Sequence, residues 1–133
     1  MNIVEEVKKL GFPIGKYVVI GGGTLEALGI RETNDVDISV TPDFFEELQK
    51  TGLWKETKCW GAPFLKQGNV DINARLNWDA YPTTTEEAIE SAIMIGGVPF
   101  MNIHELRKFK VAFGREKDML DVRLIDEYLK SYD

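Results

Sequence analysis

Lys16-Tyr17-Val18-Val19-Ile20-Gly21-Gly22-Gly23-Thr24, followed after a short gap by Arg31-Glu32-Thr33-Asn34-Asp35-Val36-Asp37-Ile38-Ser39-Val40, is the stretch from which the fold is read. Its first five residues are a β-branched and aromatic run, the composition of a buried strand. The glycine triplet breaks that strand, and Thr24 to Leu28 reads as a short helix closed by Gly29. Asp35 to Val40 alternates polar and apolar residues, which describes a strand with one buried face and one polar face.

Outward from this stretch, elements continue to alternate in type. Before it, Ile3, Val4, Val7 and Leu10 have helical spacing, and Gly11 stops the helix. After it, Thr41 is placed to cap a helix with Pro42 at its first position, Phe44, Phe45 and Leu48 on its apolar stripe and Gly52 at its end. One or two short strands are expected between Leu53 and Gln67, turning near Gly61-Ala62-Pro63. Val70 to Leu76 alternates again. Thr84 with Glu87 three residues on resembles a capping box. Ile93-Met94-Ile95 reads as a last short strand. Asn102 and Glu105 open a helix carrying Leu106, Phe109, Lys110 and Phe113, Gly114 interrupts it, and Glu116 to Tyr132 forms the final helix. The expectation is one α/β (mixed α+β) domain over residues 1–133: a small mixed β-sheet flanked by helices, with a helical C-terminal part over about 102–132.

Composition narrows the function classes. The chain has 133 residues and a formal charge of −6, with 44% hydrophobic and 29% charged residues, as in ordinary globular domains. One cysteine, Cys59, excludes an intramolecular disulfide framework, and one histidine, His104, excludes a His-rich metal site within the chain. No apolar run approaches the roughly 18 residues of a membrane helix. The start, Met1-Asn2-Ile3-Val4-Glu5-Glu6, lacks a basic region followed by an apolar one, so a cytoplasmic protein without a membrane partner is expected. The acidic balance argues against an extended nucleic-acid footprint, which needs a basic surface.

Side chains two apart on a strand share a face, so Asp35 and Asp37 point the same way. Two like charges so placed destabilise each other unless a cation sits with them. A divalent metal is one solution; solvent exposure at a sheet edge, or ion pairs to Arg31 and a lysine, are others. Asp71 lies on a second alternating strand, Val70-Asp71-Ile72-Asn73. If the two strands are neighbours, three carboxylates gather on one sheet face, the arrangement of a two-metal phosphoryl-transfer site. Asp79, in an expected loop, is a weaker substitute. The glycine triplet suits the same chemistry, because glycines let backbone approach a phosphate and a helix start offers N–H donors. It also suits a plain strand-to-helix turn. The dinucleotide fingerprint fails at Glu26, and no Gly-Lys-Ser/Thr tripeptide of a P-loop occurs.

The order strand, Gly-Gly turn with Thr24, short helix and Arg31-x-Thr33-x-Asp35-x-Asp37, with a third acid at Asp71, resembles the nucleotidyltransferase superfamily with the polymerase-β-type fold. Lys110-Val111-Ala112-Phe113-Gly114-Arg115-Glu116-Lys117-Asp118-Met119-Leu120-Asp121 is similar to a segment of small bacterial members, among them abortive-infection toxins and antibiotic nucleotidyltransferases. The resemblance runs from about Tyr17 to Tyr128. It implies transfer of a nucleoside monophosphate from an NTP, ATP among the candidates, to an acceptor hydroxyl of a small molecule, protein or RNA, with release of pyrophosphate. It further implies that Gly22, Gly23 and Thr24 hold the triphosphate. Asp35, Asp37 and Asp71 would bind Mg²⁺ or Mn²⁺ as the catalytic acids, and Lys110 would reach the β- and γ-phosphates. The family's serine after the second glycine is replaced here by Gly23-Thr24.

Other residues carry alternatives. Lys110 also reads as a solvated helix lysine, and Lys117 with Asp121 as an ordinary i,i+4 ion pair. Asp118 is expected to order a basic residue near the site. Arg31 is either a phosphate contact or a partner that tempers the acidic pair. His104 is expected in the first turn of its helix, at the surface, and Cys59 as a part-buried small apolar residue. Trp54, Trp60 and Trp78 are expected mainly in the core, with one able to stack on a base or acceptor ring. A glycosyltransferase reading of Asp-x-Asp does not fit the preceding glycine turn or the chain length. The remaining alternative is a catalytically degraded nucleotide-binding or regulatory module, or a toxin–antitoxin-type interaction module, of the same fold. The short chain leads to the expectation that a second copy or a helical partner completes an open cleft.

Overall fold

A computed structural model describes residues 1–59 and 61–131; Trp60, Tyr132 and Asp133 lie outside the described residues, and with them the expected end of the last helix and one tryptophan. The order of elements is α1 (Ile3–Lys8), β1 (Tyr17–Ile20), α2 (Gly22–Ala27), β2 (Val36–Val40), α3 (Pro42–Thr51), β3 (Lys55–Cys59), β4 (Ala62–Gln67), β5 (Val70–Asn73), α4 (Thr85–Glu90), β6 (Ile93–Ile95), β7 (Val98–Phe100), α5 (Ile103–Phe113) and α6 (Glu116–Lys130). The fold is thus mixed α/β, as expected. Among the described residues, seven strands form one mixed sheet in the order β3-β4-β5-β2-β1-β7-β6. β2 pairs parallel with β5 and β1 parallel with β7, and the other pairs are antiparallel.

Strand alternation sorts the core into two layers. Tyr17 and Val19 of β1, Val36, Ile38 and Val40 of β2, and Ile72 of β5 pack on one face with Ile3 and Val7 of α1 and Phe44, Phe45 and Leu48 of α3. Val18 and Ile20 enter the opposite layer with Leu25, Ala88 of α4, Leu106 of α5 and Ile125 of α6. β1 lies mid-sheet with a layer on each side, so all four of its residues are buried. The period-2 pattern therefore directs Asp37 and Ser39 of β2, and Asp71 and Asn73 of β5, away from the α1/α3 layer.

Helix ends follow local chemistry. The Thr84–Glu87 capping box forms on α4, and Asn102 accepts the Glu105 N–H at the start of α5. Thr41 stands at the N-cap of α3 with Pro42 beside it, but its side chain makes no cap bond. β7 is the element not expected from the sequence. It has three residues with Pro99 in the middle, and proline cannot donate to a ladder. Gly96-Gly97, both at positive φ, forms the two-residue turn of the β6–β7 hairpin, a connection glycine pairs favour.

Candidate functional site

Asp37 and Asp71 are register partners on β2 and β5. Asp37 also faces Ile20, the last residue of β1, across the antiparallel pair, so the glycine turn that follows β1 lies against it. A Cβ on Gly21 would stand 3.0 Å from Asp37 Oδ2, and Gly21 has φ +66°, so this position needs glycine both for room and for conformation. Burial pushes the Asp37 carboxyl up to about 6, and the Asp71 and Asp35 charges add to the rise, against the opposing pull of Lys110 and Lys66. Asp71 is held by Lys66, its register partner on β4, at 3.1 Å.

The third expected ligand is placed differently. Asp35 lies one residue before β2 and is exposed, near enough for its charge to be felt at Asp37. Among the described residues, no three His, Cys, Asp or Glu side chains are gathered in a way that would hold a metal ion. The expected trio is a facing pair with Asp35 at its margin.

The glycine turn also departs in detail from expectation. Helix α2 begins at Gly22 with Gly21 as its N-cap, so two of the three glycines lie in its first turn rather than in a loop before it. Gly23 is buried so closely on β1 that a Cβ would meet Val19 Cγ1 at 2.5 Å. Thr24 is fully buried and donates its hydroxyl to the Met101 carbonyl at 2.9 Å, so that hydroxyl is committed to the core instead of to a phosphate. Gly22 lies under the Arg31 guanidinium and the Thr33 hydroxyl, and Gly21 is the glycine that lines the cleft.

Cations and acids from distant parts of the chain meet in a network in which Lys110, Asp118 and Asp121 are buried and the arginines reach the surface. Arg31 donates through Nε and Nη2 to the two oxygens of Asp121, at 2.7 and 2.8 Å. Lys110 Nζ lies 2.9 Å from Asp121 Oδ2 and 3.6 Å from Asp118 Oδ1. Arg115 donates to Asp118 at 2.6 Å. Burial alone would raise the Asp121 carboxyl, but hydrogen bonds from Arg31 and Lys110 outweigh it and hold the group below its usual range. Asp118 does order basic residues, as expected. Lys110 is buried, not solvated, and Arg31 serves Asp121 instead of the Asp35–Asp37 pair. Lys117 is exposed, and the partners of Asp121 are Arg31 and Lys110 rather than Lys117.

A cleft of about 780 Å³ contains Gly21, Asp37, Asp71, Lys110 and Asp118 in its lining. Below Asp37 and Asp71, Ser39 donates to Asn73 at 2.7 Å and lies 2.8 Å from the Thr85 hydroxyl, a buried polar rung that the sequence reading missed. The signal was the same alternation that exposed the aspartates, continued by two residues. Cys59 is exposed at the end of β3 and lines the cleft, instead of being part-buried. His104 is exposed on the first turn of α5, as expected, and Trp54 packs against the core. A shallower depression of about 270 Å³ is lined by Glu87, Glu90 and Glu105, of which Glu87 serves its capping box and Glu105 accepts from Tyr81 and Thr83.

The larger cleft is therefore the chemically equipped one: an acidic pair with one perturbed carboxyl, beside a lysine held by two further carboxylates. No family profile matches the chain, and no curated protein matches it. Among the described residues, no helix is long and apolar enough to cross a membrane.

Proposed function

We propose that this chain is a Mg²⁺- or Mn²⁺-dependent nucleotidyltransferase of the polymerase-β-like superfamily, moving an NMP from an NTP to an acceptor hydroxyl. The observation that carries the reading is the Asp37–Asp71 pair, aligned on adjacent parallel strands at the cleft. The donor set fits a hard cation: two carboxylates, one of them carrying charge at a cost when ionised, with room for phosphate oxygens to complete the coordination. Asp37 and Asp71 would hold the ion, with Asp35 available from the margin. Bound, it would stabilise charge on the transferring phosphoryl group.

The chain's own groups supply the rest. The acceptor oxygen bonds to the α-phosphorus, the bond to the bridging oxygen breaks, and pyrophosphate leaves with that electron pair. Asp71 takes the acceptor proton. Lys110, lining the same cleft, offers positive charge to the departing phosphates. Catalysis of this kind is positioning and electrostatic stabilisation.

One observation favours the alternative of a binding or regulatory module: the Thr24 hydroxyl is committed to Met101, away from any phosphate. Incubation with each labelled NTP, Mg²⁺ and candidate acceptors, followed by mass spectrometry, separates the two. Transfer that disappears in Asp37→Asn supports the enzyme. Nucleotide binding without transfer to any acceptor supports the module.

A further inference from the structure

Beyond the carboxylates, the cleft has an aromatic wall. Trp78, from the segment after β5, and Phe109 and Phe113, from the later turns of α5, line it, and Phe64 of β4 lines the same cleft. The rings brace one another: Trp78 to Phe113 at 4.7 Å between centroids, Phe109 edge-on to Phe113 at 5.0 Å and Trp78 edge-on to Phe109 at 5.7 Å. The Arg115 guanidinium lies 4.6 Å from the Phe113 centroid. Among the described residues, the four aromatics of the cleft lining are half-buried; Trp78 and Phe109 pack partly against the layer of Leu106 and Ile125, whereas Phe45 and Phe100 are buried.

We infer that this wall seats the nucleobase of the nucleotide, by stacking against its flat face. The inference rests on the nucleotide reading above and names the part of the ligand this end of the cleft takes. A planar, weakly hydrated ring gains by leaving water for braced aromatic side chains. The carboxylates and Lys110 of the same lining suit cation-bound phosphates and offer a flat ring no face to stack on. A cleft of about 780 Å³ has room for a whole nucleotide, within the usual range of small-molecule sites. The cleft lining balances three acids, Asp37, Asp71 and Asp118, with three cations, Arg75, Lys110 and Arg115, and Asp118 is already held by Arg115 and Lys110, so the lining carries no net charge that would favour a polycationic occupant. Every base presents a π face, so such a wall discriminates little among the four bases.

The test titrates the full chain, with Mg²⁺, against non-hydrolysable α,β-imido analogues of the four NTPs and against inorganic tripolyphosphate, by calorimetry. The four analogues are expected to bind within a few-fold of one another, each on the order of tenfold tighter than tripolyphosphate, the contribution of one ring stack. Trp78→Leu removes that advantage without changing tripolyphosphate affinity, and Trp78→Phe, which restores a ring, keeps most of it. Analogues that bind no tighter than tripolyphosphate, or a Trp78→Leu protein that binds them as wild type does, overturn the inference and leave the phosphate site standing. If neither analogue nor tripolyphosphate binds, the nucleotide reading fails separately, and millimolar adenosine decides the wall. A shift of the Trp78 indole N–H resonance, assigned with Trp78→Phe, retains it as a ring platform, and no shift overturns it.

Discussion

Asp37 and Asp71 are held side by side by the register of two parallel strands, so the backbone ladder itself keeps their charges together at the cleft. Strand pairing fixes their backbone positions, so the two carboxylates can separate only by turning their side chains. Folding therefore imposes a repulsion that a bound cation relieves, and this coupling makes the pair readable through stability as well as through activity.

The sign follows from the raised Asp37 carboxyl. Its folded value of about 6 lies above the ordinary 3.8, so the folded state binds the proton more tightly than the unfolded state does. The contribution is fully present below about pH 4 and is lost as pH rises through about 6, by up to about 3 kcal/mol. Asp37→Asn mimics the protonated form. In EDTA it should match wild type near pH 4 and exceed it in urea unfolding at pH 7.5. Mg²⁺ should narrow the difference by stabilising wild type alone. A variant no more stable than wild type at pH 7.5 contradicts this account.

Lys66 competes for the same carboxylate. Its Nζ lies 3.1 Å from Asp71 Oδ1 in a half-exposed pair worth at most about 1 kcal/mol. Lys66→Met keeps the aliphatic stem and removes the internal cation. Mn²⁺ affinity, followed by paramagnetic broadening at low salt, should rise by up to about fivefold, and the gain should shrink as salt screens the pair. Weaker Mn²⁺ binding would show instead that Lys66 helps to assemble the site.

The part of this arrangement that was legible in the sequence is the part written in short-range periodicity. Strict alternation in Asp35–Val40 and Val70–Asn73 correctly sent Asp37 and Asp71 out of the α1/α3 layer, and the capping box at Thr84 was local chemistry. Long-range commitments were not legible. Nothing near Thr24 announces that its hydroxyl will meet the Met101 carbonyl, and nothing near Arg31 announces Asp121, which is ninety residues away. Charge spacing on α6 pointed to Lys117 for Asp121 because a lone helix offers only the partners three or four residues away. Asp35 fell short of the cluster because β2 begins one residue after it. The strand β7 was hidden by Pro99, although the Gly96-Gly97 turn signalled its hairpin.

Gly23 tests the packing of α2 on β1 independently of chemistry. An added Cβ would stand 2.5 Å from Val19 Cγ1, in a strand buried on both faces. Gly23→Ala should destabilise the protein by about 1–3 kcal/mol, the usual range for overpacking. Val19→Ala makes a cavity of its own, but in combination it removes the clashing methyl groups. The double variant should therefore be more stable than the sum of the two losses allows, with a coupling of at least about 1 kcal/mol. Simple additivity in urea unfolding would mean that α2 shifts instead of clashing.

The Arg31–Asp121–Lys110 network ties the loop after α2 to both C-terminal helices, and it yields the largest expected stability loss. Asp121 and Lys110 are buried, and Asp121 receives the guanidinium through two bonds and the ammonium through a third. Asp121→Ala strands Lys110 as a buried charge beside Asp118 alone and frees Arg31 from its fixed orientation. Removing one partner of such a pair costs about 3–5 kcal/mol, whereas Lys117→Ala, on the exposed side of the same helix, should stay within about 0.5 kcal/mol of wild type. Asp121→Asn keeps the shape, loses the charge and should fall between the two. Equal urea midpoints for Asp121→Ala and Lys117→Ala would reject the network as a structural tie. Asp121→Asn that unfolds normally but binds tripolyphosphate more weakly would extend its role to holding Lys110 at the cleft.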